Sequence, residues 1–258
     1  MGTAQPRRTW VEQIMGLPVS VLARGGGAGA PEADAAVLRL FALLHDVDRR
    51  FSPYLEDSDV GRIQRGELEL ADAEPEVIEV DARCRAAVEL TEGLFDPVTP
   101  TGRWDPSGLV KGWAAERAFG LLDAAAVDWC LNVGGDVLVR SLSGEPFQVG
   151  IQDPCDAQRV CATVGLNAGA VATSGTAARG AHLYDPRSRG TAAPTWLSVS
   201  VTGPSLETAD ILATAAYVAG PSWLETLGRA PGYAGLAING DGEQCASANW
   251  PGKTPVSS

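Results

Sequence analysis

Helical and strand patterns fall into separate runs along this chain rather than strictly alternating, and that segregation limits the fold more than any other feature. Over residues 32–51 the apolar positions Val37, Leu40, Phe41, Leu44 and Val47 recur at helical spacing. A loop over 52–57 leads to a short helix over 58–64 that Ser58 caps. A second amphipathic helix is expected over 76–92, stopped by Gly93, and a third over 107–122. Strand-like runs then follow at 129–133, 137–140, 147–151, 161–166, 170–173 and 197–202. One strand precedes all of these, at 14–24, ending in Gly25-Gly26-Gly27. A long helix over 205–219, a short one after Pro221 and a strand at 234–238 close the pattern. Parallel βαβ units need strict alternation, so the expected class is α+β: mixed, largely antiparallel sheets with packed helices. Neither a repeat nor a linker divides the chain. A single domain over 1–258 is expected, with its core at about 14–240 and frayed ends, the tail from Ala248 included.

A net charge of -12 disfavours nucleic acid and anionic membrane as main partners, because both repel an acidic surface. A small polyanion would need a local counter-charge, such as a metal ion or a positioned lysine. The five cysteines (Cys84, Cys130, Cys155, Cys161, Cys245) form no Cys-x-x-Cys pair, so reduced, mostly buried thiols are expected rather than a zinc site or disulfide framework. With neither a signal-peptide pattern nor an apolar run of membrane-spanning length, a cytoplasmic location and no membrane span are expected.

Several short segments carry groups suited to phosphate and metal chemistry. Asp210 and Thr214 lie four residues apart on the 205–219 helix, which puts a carboxylate and a hydroxyl on one face, as oxygen-preferring Mg²⁺ requires. In Asp105-Pro106-Ser107-Gly108-Leu109-Val110-Lys111-Gly112, an acid and a small turn open a helix whose Lys111 is placed to meet a phosphate. Asn132-Val133-Gly134-Gly135-Asp136 offers glycines against which a ligand can lie on backbone amides. Thr173-Ser174-Gly175 ends a strand with hydroxyls, as phosphate-binding turns do. His182 is a proton-transfer candidate, whereas His45, on the first helix, is assigned to structure. Phe51-Ser52-Pro53-Tyr54 can stack a planar ring, and Met15 can line the same pocket. Taken singly, each segment also has a structural explanation: a capped helix, a plain turn, a packed side chain.

Their joint order resembles the FAD:protein FMN transferase family, the ApbE-like flavin transferases. The matching segments are Met15-Gly16, Phe51 to Tyr54 with Ser58, Gly93-Leu94-Phe95-Asp96-Pro97, Asp105 to Ala114, Asn132 to Asp136, Asp153-Pro154, Thr173-Ser174-Gly175, His182 to Pro186, and Ala209 to Ala215. They span about 14–240. The resemblance implies an ApbE-like fold that binds FAD as substrate together with Mg²⁺. It implies that Met15, Tyr54, Leu94, Phe95, Asp96 and Asp105 line the FAD site, joined by Lys111, Thr173 and Ser174. It further implies that the side chains of Asp210 and Thr214 and the carbonyl of Gly108 hold the metal. The implied reaction moves FMN from FAD to a threonine hydroxyl of an acceptor flavoprotein and releases AMP, with His182 as the base and Asp105 in reserve. An FAD pyrophosphatase giving FMN and AMP, or a non-catalytic FAD carrier, are the alternatives.

Overall fold

In the computed structural model the described residues are 5–124, 126–175, 184–186, 190–191 and 195–253. The chain opens with a hairpin, β1 (Arg7–Ile14) and β2 (Leu17–Arg24), paired through all eight residues of each strand. The turn is Met15-Gly16, with φ of 55° and 68°. The expected strand at 14–24 is therefore the second arm of a hairpin, and the segment expected to fray is a strand. β1 is a polar edge strand whose side chains are mostly exposed, so its sequence lacks the apolar alternation that marks β2.

Helix α1 (Pro31–Phe51) has proline in its first turn, Glu32 and Asp34 near its N-terminus, and Arg49 and Arg50 in its last turn, all placed to suit the helix dipole. Its buried face is Ala33, Ala36, Val37, Leu40, Phe41, Leu44, Val47 and Phe51. α2 (Asp59–Gln64) is capped by Ser58, whose Oγ accepts from the Gly61 amide at 2.9 Å. α3 (Pro75–Leu90) ends at Glu92 and Gly93, both with positive φ. After α4 (Ser107–Phe119) come β3 (Asp128–Val133), β4 (Asp136–Arg140), β5 (Phe147–Asp153), β6 (Asp156–Leu166) and β7 (Ala168–Gly175). Two-residue strands β8 (Tyr184–Asp185) and β9 (Gly190–Thr191) precede β10 (Trp196–Gly203). α5 (Leu206–Ala219), α6 (Trp223–Gly228), β11 (Ala234–Asn239) and β12 (Gln244–Ala246) complete the chain.

Eight strands form one sheet in the order β1-β2-β3-β4-β7-β10-β11-β12, and every neighbouring pair is antiparallel. The expected α+β class with antiparallel sheets is what the chain adopts. Side chains alternate across the sheet, so each strand feeds two cores. Leu138, Ala170, Ala172 and Ala237 join the main core under the helices. Their neighbours Val137, Val139, Val171, Leu236 and Ile238 join a smaller core beneath the separate β5–β6 hairpin. Trp250 packs against this second core, and Lys253 exchanges backbone hydrogen bonds of 3.0 and 2.8 Å with Thr163. The tail is thus tied down as far as Lys253 rather than frayed from Ala248. Among the described residues no helix is long and apolar enough to cross a membrane.

Candidate functional site

The site forms where α4 and α5 cross above the ends of β4 and β7. Asp105 sets the start of α4: its Oδ1 accepts from the Ser107 amide at 3.0 Å, and its own amide donates to the Pro97 carbonyl at 2.7 Å. In the first turn Gly108 lies over the Phe95 ring, where a Cβ would come 3.2 Å from Cε2. One turn later Lys111 points its ammonium at two carboxylates. Its Nζ is 2.5 Å from Asp136 Oδ2 and 3.4 Å from Asp210 Oδ2.

Asp136 opens β4 directly after the Asn132–Gly135 turn, in which the Gly135 amide donates to Asn132 Oδ1 at 2.9 Å. Gly134 and Gly135 have φ of 60° and 104°, a backbone that side-chain-bearing residues rarely adopt. The turn holds Asp136 so that its Oδ1 accepts from the Thr173 amide at 3.1 Å while Oδ2 faces the lysine. Asp210 comes from the first half of α5. Asp136 and Asp210 are only 2% and 4% exposed. Buried carboxylates are costly unless paired, and here both face the Lys111 ammonium.

One turn beyond Asp210, Thr214 Oγ1 is 3.0 Å from Ser174 Oγ, linking α5 to the end of β7. On the opposite face of the sheet Thr173 Oγ1 meets Ser200 Oγ at 2.8 Å. That face borders a cleft of about 470 Å³ between the sheet and the β5–β6 hairpin, lined among others by Asn132, Gly135, Phe147, Gln148, Thr173 and Ser198. Ser198 Oγ is buried there and has no hydrogen-bond partner among the described residues. Among the described residues the cleft is lined by no charged side chain, whereas the described cluster around Lys111 on the other side of the same strand ends is charged or hydroxylic. Among the described residues the cluster's side-chain groups are oxygens and the Lys111 ammonium, and its oxygens suit a hard divalent cation. Among the described residues no group of three His, Cys, Asp or Glu side chains gathers as a metal cage, so hydroxyls, carbonyls or a bound ligand would have to complete the shell.

Of the residues singled out from sequence, Lys111, Asp210, Thr214 and Ser174 meet in this cluster, and the Thr173 amide joins it through Asp136. Met15 forms the β1–β2 turn, its amide donating to Asp48 Oδ2 at 3.3 Å. That turn abuts the Asn132–Gly135 turn, since a Cβ on Gly134 would come within 2.9 Å of Leu17 Cδ1. Leu94 and Phe95 are buried in the main core, and exposed Asp96 accepts from the Val98 amide at 2.8 Å. Tyr54 is 92% exposed. His182 lies outside the described residues. The acid of the cluster that lies closest to Lys111, Asp136, figures in the sequence only as the last residue of the Asn132–Asp136 segment, with no role of its own. Its position directly after a Gly-Gly turn was visible, but nothing in the spacing links it to a lysine 25 residues earlier.

The same architecture recurs in solved structures. The ApbE protein of Thermotoga maritima superposes with a TM-score of 0.82 at 21% identity, covering 94% of this chain and 97% of that one. The flavin transferase ApbE of Vibrio cholerae gives a TM-score of 0.78 at 20% identity, covering 95% and 98%. At such identities the likeness establishes the fold. The sequence itself places the chain more closely: residues 99–236 match the profile of the ApbE family, and the chain belongs to that family. The matched stretch contains Asp105, Lys111, Asp136, Ser174, Asp210 and Thr214. Among characterised relatives, the FAD:protein FMN transferase of Klebsiella pneumoniae (strain 342) is 28% identical over 188 residues, 63% of this chain and 54% of that protein. The enzyme of the same name from Escherichia coli (strain K12) is 29% identical over 151 residues, 54% of this chain and 43% of that one. The chain spans about half the length of the curated relatives it matches.

Proposed function

We propose that this chain is a Mg²⁺-dependent FAD:protein FMN transferase that moves FMN from FAD to a threonine hydroxyl of an acceptor flavoprotein. The observation that carries the reading is the buried pair Asp136 and Asp210 sharing Lys111, with the Ser174 and Thr214 hydroxyls alongside. The relatives at 28% and 29% identity, both FAD:protein FMN transferases by name, support it.

The reaction breaks the bond between the FMN phosphorus and the oxygen that bridges it to AMP, and forms a bond from that phosphorus to the threonine Oγ. AMP leaves with the bridging oxygen and its electron pair, and the threonine proton passes to a base. In this chain Asp210 and Thr214, with the Gly108 carbonyl, would hold Mg²⁺, which supplies neutralisation of the diphosphate charge when bound. Lys111, between two carboxylates, faces the same charge, while Asp136 orients Lys111 and fixes the Thr173 amide. His182 is assigned as the base, with Asp105 in reserve. The cleft behind the strand ends, with amide and hydroxyl groups among its described lining, suits a planar polar ring apart from the charged cluster.

Asp210→Asn tests the assignment, because it removes the charge while conserving volume. We expect Mg²⁺-dependent AMP release from FAD to fall by roughly 10²–10³-fold, the scale on which a charge-stabilising group contributes, with the unfolding midpoint retained. Full turnover in this variant would remove Asp210 from the metal site.

A further inference from the structure

We infer that Glu116 is a positioning residue for the metal-binding face of α5, an inference that rests on the flavin-transferase reading of the same site. Glu116 lies on α4, five residues after Lys111, so one rigid helix carries both side chains. Its carboxylate leaves α4 altogether and accepts from the first amides of α5: Oε1 takes the Leu206 amide and, at 3.3 Å, the Glu207 amide. Opening amides of a helix have no partner within it, and an anion there also meets the positive end of the dipole. Ser205 already caps this helix locally, its Oγ accepting from the Thr208 amide at 3.2 Å. Glu116 therefore adds a tie that runs between helices.

That tie sits where the two helices come closest. A Cβ on Gly112 would lie 2.7 Å from Glu207 Cα, so the backbone of α4 touches the backbone of α5. Glu207 is also held from the other side by Arg83 of α3 at 3.1 Å. The first turn of α5 is thus fixed at Leu206 and Glu207, and Asp210 and Thr214 follow at one and two turns. Lys111 meets Asp210 from the same helix that supplies Glu116. A slip of α5 along its axis would carry Asp210 away from Lys111 and Thr214 away from Ser174 together, and Glu116 opposes that slip. Its contribution comes from accepting hydrogen bonds at the correct reach.

The test compares Glu116→Gln, whose amide oxygen still accepts at full reach, with Glu116→Asp, which keeps the charge on a shorter arm, and with Glu116→Ala. Binding of Mn²⁺ to the FAD-saturated protein is followed by electron paramagnetic resonance, which needs no turnover, alongside KM and kcat for AMP release. We expect the Mn²⁺ dissociation constant to rise at least tenfold in Glu116→Asp and Glu116→Ala, to stay within twofold of wild type in Glu116→Gln, and the KM for FAD to stay within twofold throughout. Wild-type Mn²⁺ binding in Glu116→Asp, or equal loss in Glu116→Gln and Glu116→Asp, overturns the inference. Should Glu116→Ala not fold, the Gln and Asp pair decides alone. Failure of the wild-type protein to bind Mn²⁺ would count against the metal site itself and so against the functional reading, an outcome distinct from either result for the variants.

Discussion

Lys111 is the hinge of the site at the scale of single residues, because its ammonium joins two buried carboxylates that come from a strand and a different helix. Removing one partner of a buried ion pair generally costs about 3–5 kcal/mol, since an uncompensated charge remains. Lys111→Ala should therefore lower stability by about that amount, read by urea unfolding. The double variant Lys111→Ala/Asp136→Asn should recover part of the loss. If Lys111→Ala alone unfolds like the wild type, the ammonium is not what balances Asp136 and Asp210. The thiols provide a second check. Burial pushes Cys84 up to about 12 and Cys130 up to about 11, whereas Cys155 and Cys245 are exposed. In the native protein at pH 8, a thiol reagent should label Cys155 and Cys245 rapidly and spare Cys84 and Cys130 until denaturant is added; rapid labelling of Cys84 would contradict its placement. At this scale the sequence revealed Asp210 and Thr214, because helical periodicity puts positions four apart on one face. It hid Asp136, because the partnership of a strand residue with a helix lysine is a tertiary fact.

Between elements, the tightest constraint is the crossing of α4 and α5. Gly112→Ala would place a methyl group 2.7 Å from Glu207 Cα, and backbone on both sides cannot yield without moving a helix. Overpacking of this kind costs about 1–3 kcal/mol. We expect that loss in the unfolding free energy, together with weaker turnover as Asp210 moves off Lys111. Gly228→Ala is the matched control, because a Cβ there has nothing within 4 Å. Equal stability of the two variants would show that the helices are not in contact at Gly112. Elements were legible in proportion to their amphipathicity. α1 shows in the sequence because eight residues on one stripe are buried. β1 does not, because it is an edge strand held by the backbone of β2 and by surface contacts such as Trp10 Nε1 with Asp34 Oδ1 at 2.9 Å. The strand runs at 147–151 and 161–166 were visible, yet their separation into a hairpin on the far face of the sheet was not, since periodicity gives the faces of a strand and not its neighbours.

For the molecule as a whole, the two cores and the sheet between them are pinned at one end by a buried ion pair. Arg24 on β2 meets Asp128 on β3 at 2.9 Å, and Arg24 also donates to the Glu145 carbonyl in the turn that leads into the hairpin. Burial alone would push the Asp128 carboxyl up. The hydroxyl and amide of Ser143, the Arg24 guanidinium and the Leu142 amide outweigh that and hold it at about 2. Because the folded value lies below the unfolded one of about 3.9, this stabilisation is fully present above pH 4 and is lost as pH falls through about 2. Asp128→Asn should be markedly less stable than wild type at pH 7, and the gap should narrow steadily between about pH 4 and pH 2. A gap independent of pH would mean that the charge of Asp128 contributes nothing.

FMN transfer can be followed in a single experiment. The purified protein is incubated with FAD and a candidate acceptor flavoprotein, with and without Mg²⁺, while AMP and FMN are quantified and the acceptor is weighed by mass spectrometry. The account expects Mg²⁺-dependent release of AMP matched by an equal amount of FMN bound covalently to an acceptor threonine. AMP with free FMN and unmodified acceptors would point instead to FAD hydrolysis, and tight FAD binding with no AMP under any condition would contradict the claim that this is an enzyme of FMN transfer.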